Sequence, residues 1–237
     1  MKLGLFGYGK MGKAIEQIAE KQGIEIVWRI RRDDTPSPSL LRQADVAIEF
    51  TRPEAAFDNV MHCLRAGLPV VSGTTGWLDR LSEAQNFCRD NNGAMLWASN
   101  FSVGVNLFFA LNRRLAELMA TRPEYAASLT ETHHIHKLDA PSGTALTLVN
   151  ELIDHTDRYT GWSLAPDVPA SDEIPITAIR EGEVPGTHLV RWQSAVDEIS
   201  IEHKAYSRAG FAAGAVLAAQ WLVGKRGVFG MGDVLGV

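Results

Sequence analysis

The sequence predicts an α/β protein in two parts, a doubly wound parallel sheet followed by an α+β domain with a mostly antiparallel sheet. Two observations support this fold class. Short apolar segments alternate with helical segments through the first hundred residues, a spacing typical of βαβ units. From Tyr125 onward the apolar segments are longer and alternate with polar residues, which is typical of antiparallel strands with one exposed face.

The first half begins with an apolar strand, a glycine-rich turn and a helix, all within LGLFGYGKMGKAIEQIAEKQG. Ile15 and Ala19 fall on one helix face, and Gly23 is a stop signal. Further strands are predicted in IEIVWRI and ADVAIEF, and a helix then begins at Pro53. The segments LPVVSGTTG and AMLWASNFS each predict a strand that runs into a polar loop.

The second half contains two predicted helices, VGVNLFFALNRRLAELMA and SGTALTLVNELIDH. HLVRWQSAVDEISIEHKAYS predicts an antiparallel hairpin that turns near Asp197–Glu198. TGWSLAPDVPASDEIP reads as a linker-like loop. The last helix, FAAGAVLAAQWLVG, is expected to pack back on the first domain, which would then contain residues 1–104 and 212–237, with residues 105–211 forming the second domain.

Composition excludes several function classes. The chain of 237 residues has a formal net charge of −5 and a pI near 5.8, without the basic excess of nucleic-acid-binding proteins. No apolar run is long enough to span a bilayer, and the opening MKLGLFGYG does not resemble a secretory signal. Cys63 and Cys88 have no metal-ligand spacing. We therefore expect a cytoplasmic protein without nucleic-acid or membrane partners.

The turn GYGKMG places Gly7, Gly9 and Gly12 in G-x-G-x-x-G spacing between a strand and a helix. In that context the first glycine permits the tight turn and the second allows a pyrophosphate to approach. The third lets helix and strand pack closely. The sequence thus predicts a Rossmann-type dinucleotide-binding domain, the alternative being a purely structural turn.

The end of the second strand, WRIRRDD, bears on the cofactor. NAD-binding sites place an acidic residue there for the ribose 2′-hydroxyl, whereas arginines suit a 2′-phosphate. Arg29, Arg31 and Arg32 precede the first acid, so NADPH is favoured over NADH, with Arg31 or Arg32 as the contact. Asp33 or Asp34 can still serve the ribose of NADH, which leaves dual use open.

Two loops, GTTG (Gly73–Gly76) and ASNFS (Ala98–Ser102), follow predicted strands of the parallel sheet. Ligands of doubly wound proteins bind at the carboxyl ends of strands, so both loops are expected to line the nicotinamide pocket.

The segment ETHHIHKLDAPSGTAL holds three histidines and a lysine. A metal site is one reading, since His134 and His136 share a face of a strand. Neither a cysteine nor a carboxylate pair accompanies them, and Lys137 would place a cation beside the ion, so no metal is predicted. Proton transfer is the favoured reading, because His133 and Lys137 lie on one strand face and imidazole titrates near neutrality.

The residues DAPSGTA then predict a helix start. Ser142 can cap the helix, and the N–H groups of Gly143 and Thr144 are left without carbonyl partners within it. Beside His134 and Lys137 they would form a cradle for a carboxylate or a phosphate. The alternative is a solvated strand followed by a well-capped helix.

This segment resembles the E-x-H-H-x-x-K-x-D-x-P-S-G-T-A signature of dihydrodipicolinate reductases. The likeness continues through GYGKMG, FTRPEA, SGTTGW, ASNFSVGVN, EGEVPGTH and HKAYSRAGFAAGAVLAAQWL, in order along nearly the whole chain. The resemblance implies NAD(P)H-dependent reduction of 4-hydroxy-tetrahydrodipicolinate on the diaminopimelate route to lysine. Hydride transfer would be accompanied by loss of the 4-hydroxyl as water. A homotetramer is also implied, with the second domain serving substrate binding and oligomerisation.

The resemblance also implies roles for residues. His133 becomes the acid–base histidine and Lys137 the proton donor. The substrate-binding candidates are His134, Ser142, Gly143 and Thr144. The cofactor-binding candidates, besides Arg31 and Arg32, are Gly7, Gly9, Lys10, Met11, Gly12, Gly73, Thr74, Thr75, Ala98, Ser99, Asn100 and Phe101.

Three departures from the family pattern accompany the likeness. The glycine loop is one residue shorter than G-x-x-G-R-M-G, with lysine for arginine, the acidic ribose ligand is missing from its usual place, and residues 154–175 match no motif. The competing hypotheses are another two-domain NAD(P)-dependent dehydrogenase of amino acids or semialdehydes, and a non-catalytic dinucleotide sensor. One geometric conflict also stands. His133 and His134 should both meet the ligand, yet a regular strand sends them to opposite faces, so the chain must leave β geometry there or one histidine must act through a neighbour.

Overall fold

Strands and helices alternate as far as the fifth strand in the computed structural model, which describes residues 1–31, 34, 36–207 and 209–237. The strands are β1 (Lys2–Phe6), β2 (Glu25–Ile30), β3 (Val46–Glu49), β4 (Val70–Ser72), β5 (Ala94–Trp97), β6 (Ala126–His133), β7 (Gly161–Leu164), β8 (Glu173–Arg180), β9 (Thr187–Gln193), β10 (Glu198–Lys204) and β11 (Gly227–Phe229). The helices are α1 (Lys10–Lys21), α2 (Pro38–Leu41), α3 (Pro53–Arg65), α4 (Leu81–Asp90), α5 (Val103–Met119), α6 (Gly143–Asp154), α7 (Ala209–Leu222) and α8 (Met231–Leu235).

The chain divides into two units, Met1–Val103 with Ala209–Val237, and Gly104–Arg208. The first contains a six-stranded parallel sheet in the order β11-β5-β4-β3-β1-β2. One core cluster joins the sheet to α1 and α7, and another joins its other face to α3 and α4. The predicted doubly wound sheet is confirmed.

Amphipathic sequence explains how the helices dock on this sheet. Ile15 and Ala19 of α1 are almost completely buried, as their spacing predicts. Burying an isoleucine side chain contributes roughly 2 kcal/mol, so the apolar face stabilises α1 more than its intrinsic helix propensity does.

The second unit contains a five-stranded sheet in the order β10-β9-β6-β8-β7. β9 pairs antiparallel with β6 and β10, as the predicted hairpin requires, and the turn at Ser194–Asp197 is closed by the Ser194 N–H and the Asp197 carbonyl at 2.9 Å. β8, in contrast, pairs parallel with both β6 and β7. The predicted α+β second domain is confirmed, and its sheet is mixed, with two of the four strand pairings antiparallel and two parallel.

One of the parallel pairings involves the segment that was expected to be a linker. Gly161–Leu164 forms the short strand β7, which pairs parallel with β8, and α6 lies in the connection from β6 to β7. Four residues amid Pro, Ser and Asp give no strand signal of their own. α5, α6 and one face of the sheet enclose this unit's core, in which Trp192 is fully buried.

Candidate active site

The glycine turn between β1 and α1 is sterically specified at two of its three glycines. Gly7 has a φ of +89°, and a Cβ added there would lie 2.0 Å from the Phe50 carbonyl oxygen. A Cβ on Gly12 would lie 2.2 Å from the Gly7 carbonyl oxygen. A Cβ on Gly9, however, meets no described atom within 4 Å. Internal packing thus explains Gly7 and Gly12, whereas open space at Gly9 fits the close approach of a pyrophosphate.

The start of α1 suits an anion. Gly9 is its N-cap and forms no side-chain cap, and the first turn contains no acidic residue. The N–H groups of the first turn of α1 therefore remain available to hydrogen-bond a bound anion. A cavity of about 370 Å³ brings Lys10 and the other residues of this turn together with the GTTG loop; it is lined by Gly9, Lys10, Met11, Phe50, Thr51, Pro53, Gly73, Thr74 and Thr75.

A second cavity, of about 420 Å³, lies at the end of β2 and includes Arg31 and Asp34. Arg32 and Asp33 lie outside the described residues. Two side chains that the sequence did not single out also line it, Tyr8 and Arg52. Arg52 gave a usable signal, since it stands in FTRPEA directly after a strand of a parallel sheet.

The GTTG loop is anchored through a buried carboxylate that the sequence analysis missed. Glu49, at the end of β3, is fully buried and accepts hydrogen bonds from Ser72 Oγ at 2.6 Å, Thr74 Oγ1 at 2.8 Å and the Thr51 N–H at 2.9 Å. The Thr74 hydroxyl is therefore structural, while Thr75 is exposed. An acid enclosed by apolar residues in VAIEF was the available signal.

The ASNFS loop divides between core and surface. Ala98 and Phe101 are buried, and the Phe101 ring lies 5.6 Å from that of Phe50. Ser99 is exposed, and Asn100 Oδ1 accepts the Ser102 N–H at 2.9 Å. Any role of Phe101 toward a ligand thus falls to its backbone, with Ser99 and Asn100 at the surface.

In the second unit, β6 buries alternate residues, first apolar and then polar. Ala127 and Leu129 pack in the core, and Glu131 and His133 continue the same face. Glu131 is fully buried and accepts the Ser142 N–H at 3.1–3.2 Å and Arg180 Nη2 at 3.0 Å. Its Oε2 lies 3.7 Å from His188 Nε2 and 3.5 Å from His133 Nδ1. This strand end is therefore a buried polar network.

Burial and hydrogen bonds within this network determine the charges of Glu131 and His133 near pH 7. Burial alone would raise the pKa of Glu131, but hydrogen bonds involving His188, Ser142 and Arg180 outweigh it and lower that pKa to about 2. Burial lowers the pKa of His133 to about 4, against the attraction of Glu131 and with help from the neighbouring positive groups. Near pH 7 the imidazole of His133 is therefore neutral and does not donate a proton as a cation.

The chain leaves β geometry directly after His133. A turn follows, in which the Ile135 N–H donates to the Gly182 carbonyl and the Lys137 N–H donates to the His134 carbonyl, both at 3.1 Å. The prediction that His133 and Lys137 share a strand face is wrong. The conflict over His133 and His134 is resolved by the first of its two alternatives, because only His133 belongs to the strand.

Lys137 is the ammonium of this segment. Its Nζ lies 2.8 and 2.9 Å from the two carboxylate oxygens of Asp139, and its side chain is 21% exposed. Asp139 is largely exposed and its pKa is lowered, first by the hydrogen bond from Lys137. An ion pair this accessible can exchange for another carboxylate at little cost.

The start of α6 follows the predicted pattern. Ser142 is its N-cap, and Ser142 Oγ accepts the Ala145 N–H at 3.2 Å, which confirms the predicted cap. Ser142 itself is buried, with Oγ 3.2 Å from His188 Nε2. Gly143 is exposed with open space around it, and Thr144 is half-buried. The N–H groups of Gly143 and Thr144 belong to the first turn and have no carbonyl partner within the helix.

A cation is poorly suited to the buried network. Possible ligand atoms of Glu131, His133 and His188 all lie within 4.8 Å of one another. The Glu131 oxygens, however, already hold the Arg180 guanidinium and the Ser142 N–H, and a metal ion would sit beside the arginine. His134 and His136, the pair considered first, have ring centroids 5.9 Å apart, and His136 pairs with Glu183 at 2.9 Å.

Comparison with known proteins accounts for both units. Residues 1–101 match the model for the N-terminus of dihydrodipicolinate reductase, and residues 104–235 match the model for its C-terminus. The chain belongs to the dihydrodipicolinate reductase family. Among curated relatives, the 4-hydroxy-tetrahydrodipicolinate reductase of Christiangramia forsetii is 47% identical over 99% of this chain and 98% of its own length. That of Methanoculleus marisnigri is 38% identical over 83% of this chain and 77% of its own length.

Solved structures agree on the fold. A dipicolinate-bound dihydrodipicolinate reductase from Paenisporosarcina sp. TG-14 matches with a TM-score of 0.79 and 22% identity, covering 98% of both chains. An amine dehydrogenase from Mycobacterium smegmatis matches with a TM-score of 0.59 and 10% identity, covering 96% of this chain and 94% of its own, so it shares the fold alone.

Family membership sharpens the view of the site. This Rossmann-type oxidoreductase family implies binding of NAD(P)H, and the open glycine turn fits that cofactor. Glu131 opens the family signature and His188 ends the EGEVPGTH motif, which were the signals for the network that sequence reasoning left unused. No helix among the described residues is long and apolar enough to cross a membrane.

Proposed function

We propose that this protein catalyses the NAD(P)H-dependent reduction of 4-hydroxy-tetrahydrodipicolinate to tetrahydrodipicolinate on the diaminopimelate route to lysine. The observation that carries the proposal is the 47% identity to the Christiangramia forsetii reductase, because that similarity extends over both units. The net reaction takes up one hydride and one proton and releases the 4-hydroxyl group as water.

The substrate is a cyclic dicarboxylate, and the start of α6 is the proposed carboxylate site. The N–H groups of Gly143 and Thr144 supply donors at a helix N-terminus, and His134 and Lys137 precede it along the chain. Ser142 contributes chiefly through the helix, since its hydroxyl and N–H are engaged internally. The Paenisporosarcina enzyme was solved with dipicolinate bound, which supports this substrate class.

Proton transfer is assigned to Lys137 and His133. Lys137 donates, because its ammonium is partly exposed and its ion pair is with the exposed Asp139. His133, neutral near pH 7, receives or relays a proton, and its Nδ1 lies 3.5 Å from Oε2 of the buried Glu131. The nicotinamide supplies the hydride when it is bound.

The first unit is proposed as the cofactor domain and the second as the substrate and oligomerisation domain. NADPH is favoured over NADH because Arg31 and Arg52 both line the cavity at the end of β2. Asp34 lines the same cavity, so NADH remains a usable cofactor. The buried free thiols Cys63 and Cys88 suit the reducing cytoplasm in which we place the enzyme.

A homotetramer is proposed from the second unit's sheet. The face opposite its core carries Thr130 between Thr177 and Leu189, and Thr132 between Ile179 and Thr187. These side chains are only half-buried or exposed, and the mixture of threonine and aliphatic residues suits burial against other copies of the chain. Light scattering should give the mass of four chains; a monomer would contradict this part.

The decisive test is an assay of NADPH oxidation with the cyclic substrate made freshly from aspartate semialdehyde and pyruvate. Oxidation should require the complete mixture and should be slow with either precursor alone. Unchanged oxidation when one precursor is omitted would overturn the assignment. NADPH is expected to bind more tightly than NADH, and Arg31→Ala should reduce that preference; equal affinities in both proteins would contradict the cofactor assignment.

A further inference from the structure

Tyr8 stands between the first two glycines of the turn, and the dinucleotide motif assigns it no role. It lines the cavity at the end of β2 together with Arg31 and Asp34. A bulky aromatic ring at this place therefore bears on what that cavity accepts.

The ring is anchored from beneath. The Tyr8 hydroxyl donates a hydrogen bond to Glu16 of α1, whose side chain is only 12% exposed. Burial would raise the pKa of Glu16, but hydrogen bonds from Tyr8 and Arg29 outweigh it and lower that pKa, so the carboxylate stays ionised. Tyr8 is thus tied to a fixed charge on the first helix.

The Glu16 carboxylate also binds Arg29, so this arginine is not the proposed phosphate contact. Glu16 Oε1 accepts from both Nε and Nη2 of Arg29, with the Nε contact at 2.6 Å. A guanidinium held through two donors is not free to receive a phosphate. Of the three arginines at the end of β2, Arg29 is therefore structural.

Arg31 is held differently. Its guanidinium carbon lies 5.7 Å from the centroid of the Tyr8 ring, within the range of a cation–π contact, and the residue is exposed. The guanidinium carbon of Arg29 lies 5.8 Å from the same ring, but Arg29 is also paired with Glu16. The backbone N–H of Arg31 donates to Asp34 at 2.8 Å. Across residues 1–31, 34, 36–207 and 209–237, no carboxylate forms an ion pair with the Arg31 guanidinium. Its charge is thus placed by an uncharged ring.

We propose that Tyr8 is the specificity-determining residue for the phosphorylated cofactor, holding the Arg31 guanidinium ready to bind the 2′-phosphate of NADPH. This rests on the proposed function, because it assumes that the adenosine end of the cofactor enters this cavity. Preorganisation is the physical gain. An arginine already in contact with a ring loses less side-chain freedom on binding, and its planar fork of donors suits a phosphate.

The test compares two probes that differ only by the phosphate in question, adenosine 2′,5′-bisphosphate and adenosine 5′-monophosphate. Dissociation constants are measured by calorimetry for the wild type, Tyr8→Phe and Tyr8→Leu. Tyr8→Leu should weaken the bisphosphate roughly three- to tenfold and the monophosphate less than about twofold, the range expected for one lost cation–π contact. Tyr8→Phe keeps the ring and should keep the ratio of the two constants. An unchanged ratio in Tyr8→Leu, or an equal loss in both variants, would overturn the proposal.

Arg31→Lys covers the case in which Tyr8→Leu fails to fold, since Arg31 is exposed. It keeps the charge and loses the planar guanidinium that contacts the ring, so the ratio should fall. A ratio equal to that of the wild type would mean that charge alone selects the phosphate and would overturn the proposal. Failure of the proposed function is a separate result. In that case the wild type would not oxidise NADPH with the cyclic substrate, whatever the probes show.

Discussion

Two helix N-termini in this protein are prepared for anions in opposite ways. α1 begins at Gly9, which provides no side-chain cap and is surrounded by open space. α6 begins at Ser142, which is buried, caps the helix through Oγ and donates its N–H to Glu131. The first leaves room for a long diphosphate to lie against the backbone. The second fixes the orientation of a helix whose first N–H groups are the proposed site for a substrate carboxylate. An N-terminus without a side-chain cap thus leaves the backbone open to a ligand, whereas a buried cap fixes the direction of the helix.

The largest expected effect separates the chemistry near α6 from the binding at α1. Lys137→Ala should lower kcat by about 10²- to 10⁴-fold, the range for loss of a general acid, while the dissociation constant for NADPH changes little. Lys10→Ala, the matched lysine at the start of α1, should instead raise KM for NADPH with a much smaller change in kcat. Steady-state kinetics and fluorescence titration of NADPH would measure both. Equal effects of the two substitutions on kcat would contradict the division of roles.

Acid should lower the free energy of unfolding through His133, at the end of β6. The pKa of His133 is about 4 in the folded protein against an ordinary 6.5, so the unfolded chain binds more protons between these values. The stabilisation is fully present above pH 6.5 and is lost as the pH falls toward 4, by about 3 kcal/mol at most. Urea unfolding at a series of pH values should show this loss, and His133→Gln should reduce its size. Titration of the His133 ring by NMR near pH 6.5 would refute it.

The turn before α1 should respond differently at its second and third glycines. Gly12→Ala places a methyl group 2.2 Å from a backbone oxygen and should cost about 2 kcal/mol of unfolding free energy. Gly9→Ala meets no described atom and should leave the thermal midpoint almost unchanged while weakening NADPH binding. Calorimetric melting with and without NADPH distinguishes the two. A stable Gly9→Ala protein with full cofactor affinity would show that the diphosphate does not approach there.

The smallest effect concerns the cap of α6. Ser142→Ala removes the hydrogen bond to the Ala145 N–H and should destabilise the protein by about 1 kcal/mol, and Ser142→Gly by less. KM for the cyclic substrate should rise in both, because the first turn loses its fixed orientation. Unchanged KM together with lower stability would mean that the cap serves folding alone.

The two N-termini also differ in how far sequence predicts them. Gly12 is specified by the Gly7 carbonyl within the same motif, so the motif encodes its geometry, whereas the Phe50 carbonyl that excludes a side chain at Gly7 lies beyond β3 in the sequence. The cap at Ser142 is equally local. Its anchor is not, since Arg180 lies 49 residues from Glu131 along the chain, and the two meet only through the register of β6 with β8. The parallel pairing of β8 was not predicted, because its partner β7 is too short to give a strand signal. The pairing of Arg29 with Glu16 depends on how α1 lies against β2. Sequence patterns thus predict elements and local turns, whereas partners drawn from several strands require the folded sheet.

Glu49 has a consequence for motion. This buried carboxylate accepts hydrogen bonds from Ser72 at the end of β4, from Thr74 in the loop that follows, and from the Thr51 N–H after β3, so the loops that follow β3 and β4 share one anchor. Neither loop can open without breaking hydrogen bonds to a buried side chain that the other loop also binds. The amide hydrogens of both loops should therefore exchange with solvent as one cooperative unit, even though the loops are separate in sequence.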